Sequence, residues 1–117
     1  MSFLLLVIEH EERQKLTAGE RRQRFDDMMA YTERLRGRGV LLGSESLRPD
    51  NEGARVRRRD GNRIVTDGPF AESKEMVGGF FLLDCASKDQ AVALAAECPA
   101  SGWATIEVRE TGRCIDD

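Results

Sequence analysis

Two carboxylates, Asp67 and Glu72, flank a Gly-Pro-Phe turn in the middle of the chain, and a third, Glu107, lies in an alternating segment near its end. If the three converge in one cleft, mutual repulsion and partial burial would make one of them a general base, with Asp67 as the candidate. Such a base suits proton abstraction next to a carbonyl group, with Lys74 or a backbone N–H stabilising the developing oxyanion.

The same residues also have a structural interpretation. Asp67 precedes a glycine, and an aspartate there often caps the turn through its own backbone. Glu72, Lys74 and Glu75 are able to form a solvated or inter-subunit cluster of ion pairs, which contributes little stability. The residues alone leave both interpretations open.

The single histidine, His10, is a candidate general acid in the sequence IEHEER, although a surface histidine among glutamates is the simpler interpretation. Gly78 and Gly79 match no P-loop or dinucleotide pattern, so we expect them to permit close backbone approach. No His, Cys or Asp set has metal-ligand spacing, and we predict neither a metal nor a cofactor.

The hydrophobic pattern predicts one domain over residues 1–117 that positions these groups. We expect strands over residues 3–9, 40–47, 77–85 and 104–110, and a hairpin over 54–67 that turns at Asp60-Gly61-Asn62. Helices are predicted over residues 16–39 and 87–98. The first has a capping box and an inward stripe of Phe25, Met28, Met29, Thr32 and Leu35, and the second has an N-cap at Ser87 with Gln90 at the capping-box position.

This order, β-α-β-hairpin-β-α-β, with two helices on one face of a mainly antiparallel sheet, is a ferredoxin-like α+β plan. The segment 77–85 is apolar on both alternating faces, with Val77, Phe81 and Leu83 on one and Phe80 and Leu82 on the other. The helices can cover one face only. The other needs a second layer, which predicts a homodimer.

Composition limits the partners. The net charge of −3 argues against a general affinity for nucleic acid or anionic membranes. The hairpin is rich in arginine, but no aromatic residue is interleaved with that charge, so we predict no nucleic acid there. The apolar N-terminal segment is too short to span a bilayer and has no signal-peptide features. Three cysteines cannot all pair within one chain, which favours reduced thiols in a cytoplasm.

The strings DGPFAESKEMVGGFFLLD, VRRRDGNRIVT, LTAGE and IEVRE resemble the YCII-related family in its DGPF-type branch. The resemblance implies a dimeric α/β barrel in which two ferredoxin-like sheets pack face to face, with a cleft of acidic residues near the motif. Relatives include proteins similar to enzymes of chlorinated muconolactones and proteins associated with sigma factors. The first helix lacks the histidine usual in the family, and Glu110 replaces a common proline. The family motif falls on Asp67, Gly68, Pro69, Phe70, Glu72, Lys74, Glu75, Gly78 and Gly79, with Glu107 in the last strand.

Two functions are therefore expected from the sequence. The first is a small cytoplasmic, cofactor-independent enzyme of the isomerase, lyase or dehalogenase type that acts on a carboxylated metabolite. The alternative is a non-catalytic dimeric ligand-binding or regulatory module, linked to transcription through sigma factors. The candidate catalytic residues are Asp67, Glu72, Glu107 and His10, and the candidate ligand-binding residues are Gly68, Pro69, Phe70, Lys74, Glu75 and Gly79.

Overall fold

The computed structural model describes residues 1–10, 15–70 and 74–114, and Glu72 lies outside this part of the chain. Six strands and two α-helices form in the predicted order. Short 3₁₀ turns cover Asp50–Glu52 and Pro99–Gly102. The elements are β1 (Ser2–His10), α1 (Ala18–Gly37), β2 (Leu41–Ser46), β3 (Ala54–Arg59), β4 (Asn62–Asp67), β5 (Glu75–Asp84), α2 (Lys88–Ala96) and β6 (Thr105–Glu110).

Four strands form the main sheet in the order β2-β5-β1-β6, and every neighbouring pair in it is antiparallel. This order, together with two helices on one face, confirms the predicted ferredoxin-like α+β fold. The buried side of the sheet alternates along each central strand, with Phe3, Leu5 and Val7 on β1 and Phe81 and Leu83 on β5. The helices contribute the other half of the core, and no described helix is long and apolar enough to cross a membrane.

The helix caps follow the sequence. Thr17 accepts a hydrogen bond from the Glu20 N–H, and the Glu20 side chain accepts one from the Thr17 N–H, which completes the predicted capping box. Ser87 caps α2 by accepting from the Gln90 N–H. The Gln90 side chain, however, accepts from Ala86 rather than closing a box on Ser87.

The predicted inward stripe of α1 is only partly correct. Leu35 is buried, but Phe25 and Met29 are 56% and 46% exposed, and Tyr31 occupies the core instead. The Tyr31 ring meets Phe81 edge to face, with centroids 5.3 Å apart. Phe25 and Met29 instead line the cleft described below.

A bulge in β5 corrects a second prediction. Val7 pairs with Gly79 and Ile8 pairs with Val77, so Gly78 is left without a partner on β1. Because cross-strand partners share a face, Val77 lies with Ile8 on the side of the sheet opposite the helices. The prediction that Val77 shares a face with Phe81 and Leu83 is therefore wrong, since alternation fails where one extra residue is inserted.

The β3–β4 hairpin is a separate two-stranded sheet that projects from the main one. The hairpin turns at Asp60 and Gly61, within the predicted segment, and these two residues adopt positive φ, whereas Asn62 begins β4. The radius of gyration is 16.3 Å, whereas a compact chain of this length has about 13 Å. The cross-strand pair Val56 and Val65 is 64% and 49% exposed, which leaves apolar surface on this arm.

Candidate functional site

A cleft of about 380 Å³ lies between α1 and the helix-facing side of β1, β2 and β5. We call it the helix cleft. Its walls are mostly apolar, and it also contains polar groups of both charges. The apolar lining includes Phe25, Met28, Met29, Phe81 and Trp103, and the charged lining includes Glu9, Arg21, Arg24 and Arg36. Its volume is within the range of small-molecule sites, about 300–1,000 Å³.

Glu9 is the half-buried carboxylate of the helix cleft. It follows Val7 by two residues, and alternation along β1 therefore directs both side chains toward α1. A Cβ added to Gly78 would lie 2.6 Å from the Glu9 carboxyl carbon. The bulge glycine thus provides the space that the carboxylate occupies.

The three arginines of the helix cleft have different environments. Arg21 donates to the Leu16 carbonyl at 2.7 Å, and Arg36 forms an ion pair with Glu33 one turn earlier. Arg24 is the half-buried member, and its guanidinium lies 4.5 Å from the centroid of the Trp103 ring. A cation–π contact of this kind fixes the plane of the guanidinium and keeps its N–H edges available for an anion.

Two titratable groups behind the helix cleft, in contact with the lining residues Phe81 and Met28, are neutral. The Tyr31 hydroxyl donates to the Leu94 carbonyl at 2.7 Å, and burial raises the pKa of Tyr31, so the hydroxyl keeps its proton. The thiol of Cys98 lies 3.8 Å from the Met28 sulfur, and burial raises the pKa of Cys98 as well. Neither group supplies a charge to the cleft at neutral pH.

A second cleft, of about 340 Å³, lies beside the Gly-Pro-Phe turn, and we call it the loop cleft. Of the predicted site residues, Phe70 and Glu75 line it. The Arg55 guanidinium covers the Phe70 ring at 3.9 Å, and Arg48 forms an ion pair with Glu52 at 2.9 Å. Much of the polar surface of the loop cleft is therefore already engaged in contacts within the chain.

The turn itself is closely packed against the 3₁₀ segment that precedes β3. The Gly68 N–H donates to the Gly53 carbonyl at 2.9 Å. A Cβ added to Gly68 would lie 1.8 Å from the backbone oxygen of Asp50, so only glycine fits there. Pro69 follows in a cis peptide bond, and Lys74, like Pro69, is exposed.

The described members of the predicted catalytic set lie on three different strands. Asp67 ends β4 in the hairpin, exposed and paired with Ala54. Glu107 lies on β6, on the face opposite the helices, with Arg109 at 3.5 Å. His10 ends β1, with its Nε2 3.4 Å from the Thr105 hydroxyl.

Within the part of the chain that is described, Asp67, Glu107 and His10 line neither cleft. Their catalytic roles, like that of Glu72, remain predictions. Gly79 does line the helix cleft, and a Cβ there would lie 2.8 Å from the Glu45 carbonyl oxygen. The expected close backbone approach is confirmed at this glycine.

Sequence reasoning missed Glu9, Arg24 and Trp103. One signal was available, because Glu9 is a charged residue on the otherwise apolar, helix-facing side of β1. Arg24 and Trp103 gave no comparable signal, since their contact joins α1 to the segment before β6 and depends on the tertiary fold.

The fold and the helix cleft define the class: a ferredoxin-like α+β protein with a small-molecule-sized, arginine-lined cleft under its first helix. The chain belongs to the YCII-related domain family, whose model matches residues 1–113. It is 41% identical over 87 residues to an uncharacterized protein of Rhizobium meliloti (strain 1021), covering 71% of this chain and 68% of that one.

A solved structure with a similar fold is the 5-chloro-2-hydroxyhydroquinone dehydrochlorinase TftG of Burkholderia phenoliruptrix AC1100, in complex with 2,5-dihydroxybenzoquinone. The match has a TM-score of 0.56 at 16% identity and covers 96% of this chain and 94% of that chain. At this identity the likeness establishes the shared fold.

Proposed function

We propose that this protein is a cofactor-independent enzyme of the isomerase, lyase or dehalogenase type that acts on a small carboxylated metabolite in the helix cleft. The observation that supports it is the placement of a half-buried carboxylate, Glu9, in an apolar cleft that also holds Arg24. A base and a cation in a partly dry site are what proton abstraction next to a carbonyl requires. TftG, whose fold is similar, is a dehydrochlorinase, and it supports this class of reaction.

In the proposed reaction, Glu9 removes a proton from the carbon next to a carbonyl group of the substrate. The electron pair of that C–H bond moves onto the carbonyl oxygen, where an arginine or a backbone N–H stabilises the negative charge. In an isomerisation, the protonated Glu9 returns the proton to another carbon of the same conjugated system. In a dehalogenation, the electron pair instead expels chloride from the adjacent carbon and leaves a double bond.

Proton abstraction can be tested without knowing the product. The protein would be incubated in D₂O with a panel of small carboxylated ketones and lactones, some of them chlorinated, and loss of C–H signals would be followed by ¹H NMR together with chloride release. We expect exchange in the wild type and its loss in Glu9→Gln, with Asp67→Asn as the matched carboxylate variant outside the helix cleft. Loss in Asp67→Asn with retention in Glu9→Gln would transfer the base role to the turn and refute this assignment.

The non-catalytic alternative has one specific observation in its favour. The hairpin exposes five arginines over nine residues, at positions 55, 57, 58, 59 and 63, with one acidic residue, Asp60, between them. A basic arm of this kind suits a regulatory contact with an acidic partner such as a sigma factor. Ligand binding in the helix cleft without exchange or chloride release on any panel member would favour this module over the enzyme.

A cytoplasmic homodimer is part of the proposal. Leu4, Leu6, Phe80 and Leu82 form an apolar strip on the face opposite the helices, and no described element of the chain covers it. A second copy of the same sheet would bury this strip. Sedimentation equilibrium at micromolar concentration should show a dimer that Leu6→Asp weakens, and a wild-type monomer would rule the dimer out. Free thiols at Cys85, Cys98 and Cys114 suit a reducing bacterial cytoplasm.

A further inference from the structure

The helix cleft has the features of a site for one particular kind of anion. Of the three arginines that line it, Arg24 is the half-buried one, stacked on Trp103, while Arg21 and Arg36 are exposed and engaged by Leu16 and Glu33. A guanidinium held in a fixed plane presents a fork of two parallel N–H groups, and this fork matches a carboxylate. Arg24 is therefore the best-prepared anion anchor in the cleft.

The shape of the walls restricts the rest of the ligand. Trp103 and two phenylalanines, Phe25 and Phe81, line the cleft together with two methionines. Flat rings make their best contacts with other flat surfaces, and methionine adapts to fill the remaining gaps. A planar, conjugated body gains more from these walls than a puckered aliphatic one of equal size.

The carboxylate of the cleft limits the ligand to a single negative charge. Glu9, which is half-buried, lies on the sheet side of the cleft. A dianion that places one carboxylate on Arg24 would bring its second charge toward Glu9 in a partly desolvated site, where repulsion is costly.

From these three observations we infer that the helix cleft selects planar, conjugated monocarboxylates, and that Arg24 stacked on Trp103 is the specificity-determining pair. This inference rests on the proposed function for its site, although it concerns binding and not turnover. The bound carboxylate lies at Arg24, the flat body lies against the aromatic walls, and the far end of the ligand points toward Glu9.

The chain provides its own reporter, because Trp103 is its single tryptophan and lines the cleft. Fluorescence titrations of the full chain would compare four probes of similar size. Benzoate is planar and monoanionic, cyclohexanecarboxylate has the same charge but is puckered, benzamide is planar but neutral, and phthalate is planar but dianionic. We expect benzoate to bind about tenfold or more tightly than each of the other three.

Two variants test the anchor. Arg24→Lys keeps the charge but removes the planar fork, so benzoate affinity should fall about tenfold while benzamide affinity stays the same. Arg22→Lys is the matched control, because Arg22 lies two residues away, is paired with Asp26 and does not line the cleft, so it should leave every affinity unchanged. Thermal melts of both variants would show that they remain folded.

Equal affinities for benzoate and cyclohexanecarboxylate would overturn the planarity requirement. Wild-type benzoate affinity in Arg24→Lys would overturn the anchor, and failure of all four probes to bind would overturn the inference as a whole. The proposed function can fail separately. Selective benzoate binding, without D₂O exchange on any of the carboxylated ketones and lactones, would support the inferred specificity and refute the proposed enzymatic activity.

Discussion

The glycine pair of β5 provides a test in which stability and activity should separate. A Cβ on Gly79 would meet the backbone oxygen of Glu45 at 2.8 Å, and backbone cannot rotate away. A Cβ on Gly78 would meet the end of the Glu9 side chain at 2.6 Å, which can rotate away. Gly79→Ala should therefore strain the β2–β5 pairing, whereas Gly78→Ala should displace the carboxylate that we propose as the base.

The magnitudes follow from the type of contact. Overpacking against a fixed neighbour costs about 1–3 kcal/mol, and replacing glycine by alanine recovers about 0.4–1 kcal/mol by restricting the unfolded chain. The free energy of unfolding of Gly79→Ala should thus fall by about 1–2 kcal/mol. For a chain of this size that lowers the melting point by about 4–8 °C. Gly78→Ala should change it by less than about 1 kcal/mol, because only a side chain moves.

The assay combines urea unfolding with the D₂O exchange measurement. Gly43→Ala is the matched control, since it is a third glycine in the same sheet and a Cβ there would meet nothing within 4 Å. Gly79→Ala should be less stable than Gly43→Ala, and Gly78→Ala should lose exchange to the same extent as Glu9→Gln. Equal stabilities of Gly79→Ala and Gly43→Ala would refute the strain predicted for Gly79→Ala. Wild-type exchange in Gly78→Ala would refute the predicted displacement of the Glu9 carboxylate.

Three further measurements test the scaffold. Tyr31→Phe removes the hydrogen bond to the Leu94 carbonyl and should lower the urea-unfolding free energy by about 1 kcal/mol; no change would show that the bond is dispensable. Thr17→Ala opens the capping box with Glu20 and should cost about 0.5–2 kcal/mol in the same assay, and a neutral result would contradict the cap. Burial raises the pKa of the Cys98 thiol above its unfolded-state value of about 8.5. The contribution of the protonated thiol to the free energy of unfolding is therefore complete below about pH 8.5, and it is lost as the pH rises above this value, by about 1.4 kcal/mol per pH unit. Between pH 8 and 10 the free energy of unfolding should decline less steeply with pH in Cys98→Ala than in the wild type. Identical slopes would mean that folding does not protect the thiol from ionisation.

Much of the fold was predictable because its signals are local. The capping box at Thr17 needs only four residues of sequence, and the turn at Asp60-Gly61 needs only residues that tolerate positive φ. Ile106 and Val108 alternate with polar residues along β6 and pack against the core, since β6 has no bulge.

The errors occur where one element changes the geometry of another. Gly78 interrupts the alternation of β5, and Val77 consequently joins the face opposite the helices. Phe25 and Met29 follow a helical period, yet they line a cleft and are not buried in the core, because that period does not show where α1 stands away from the sheet. The cleft cannot be predicted from α1 alone, since it depends on the distance between two elements.

The conspicuous Gly-Pro-Phe motif has a packing role that is independent of any catalysis. A Cβ at position 68 would lie 1.8 Å from the backbone oxygen of Asp50, so only glycine fits there, and Phe70 is covered by Arg55 of the adjoining hairpin. These contacts fix the base of the arm against the segment before β3. A motif can therefore be long and specific because it determines how a hairpin joins a sheet, while the groups proposed for chemistry lie elsewhere. If this holds, chains that share the motif will share the arm but differ in the reactions they perform, according to the residues that occupy the positions of Glu9 and Arg24.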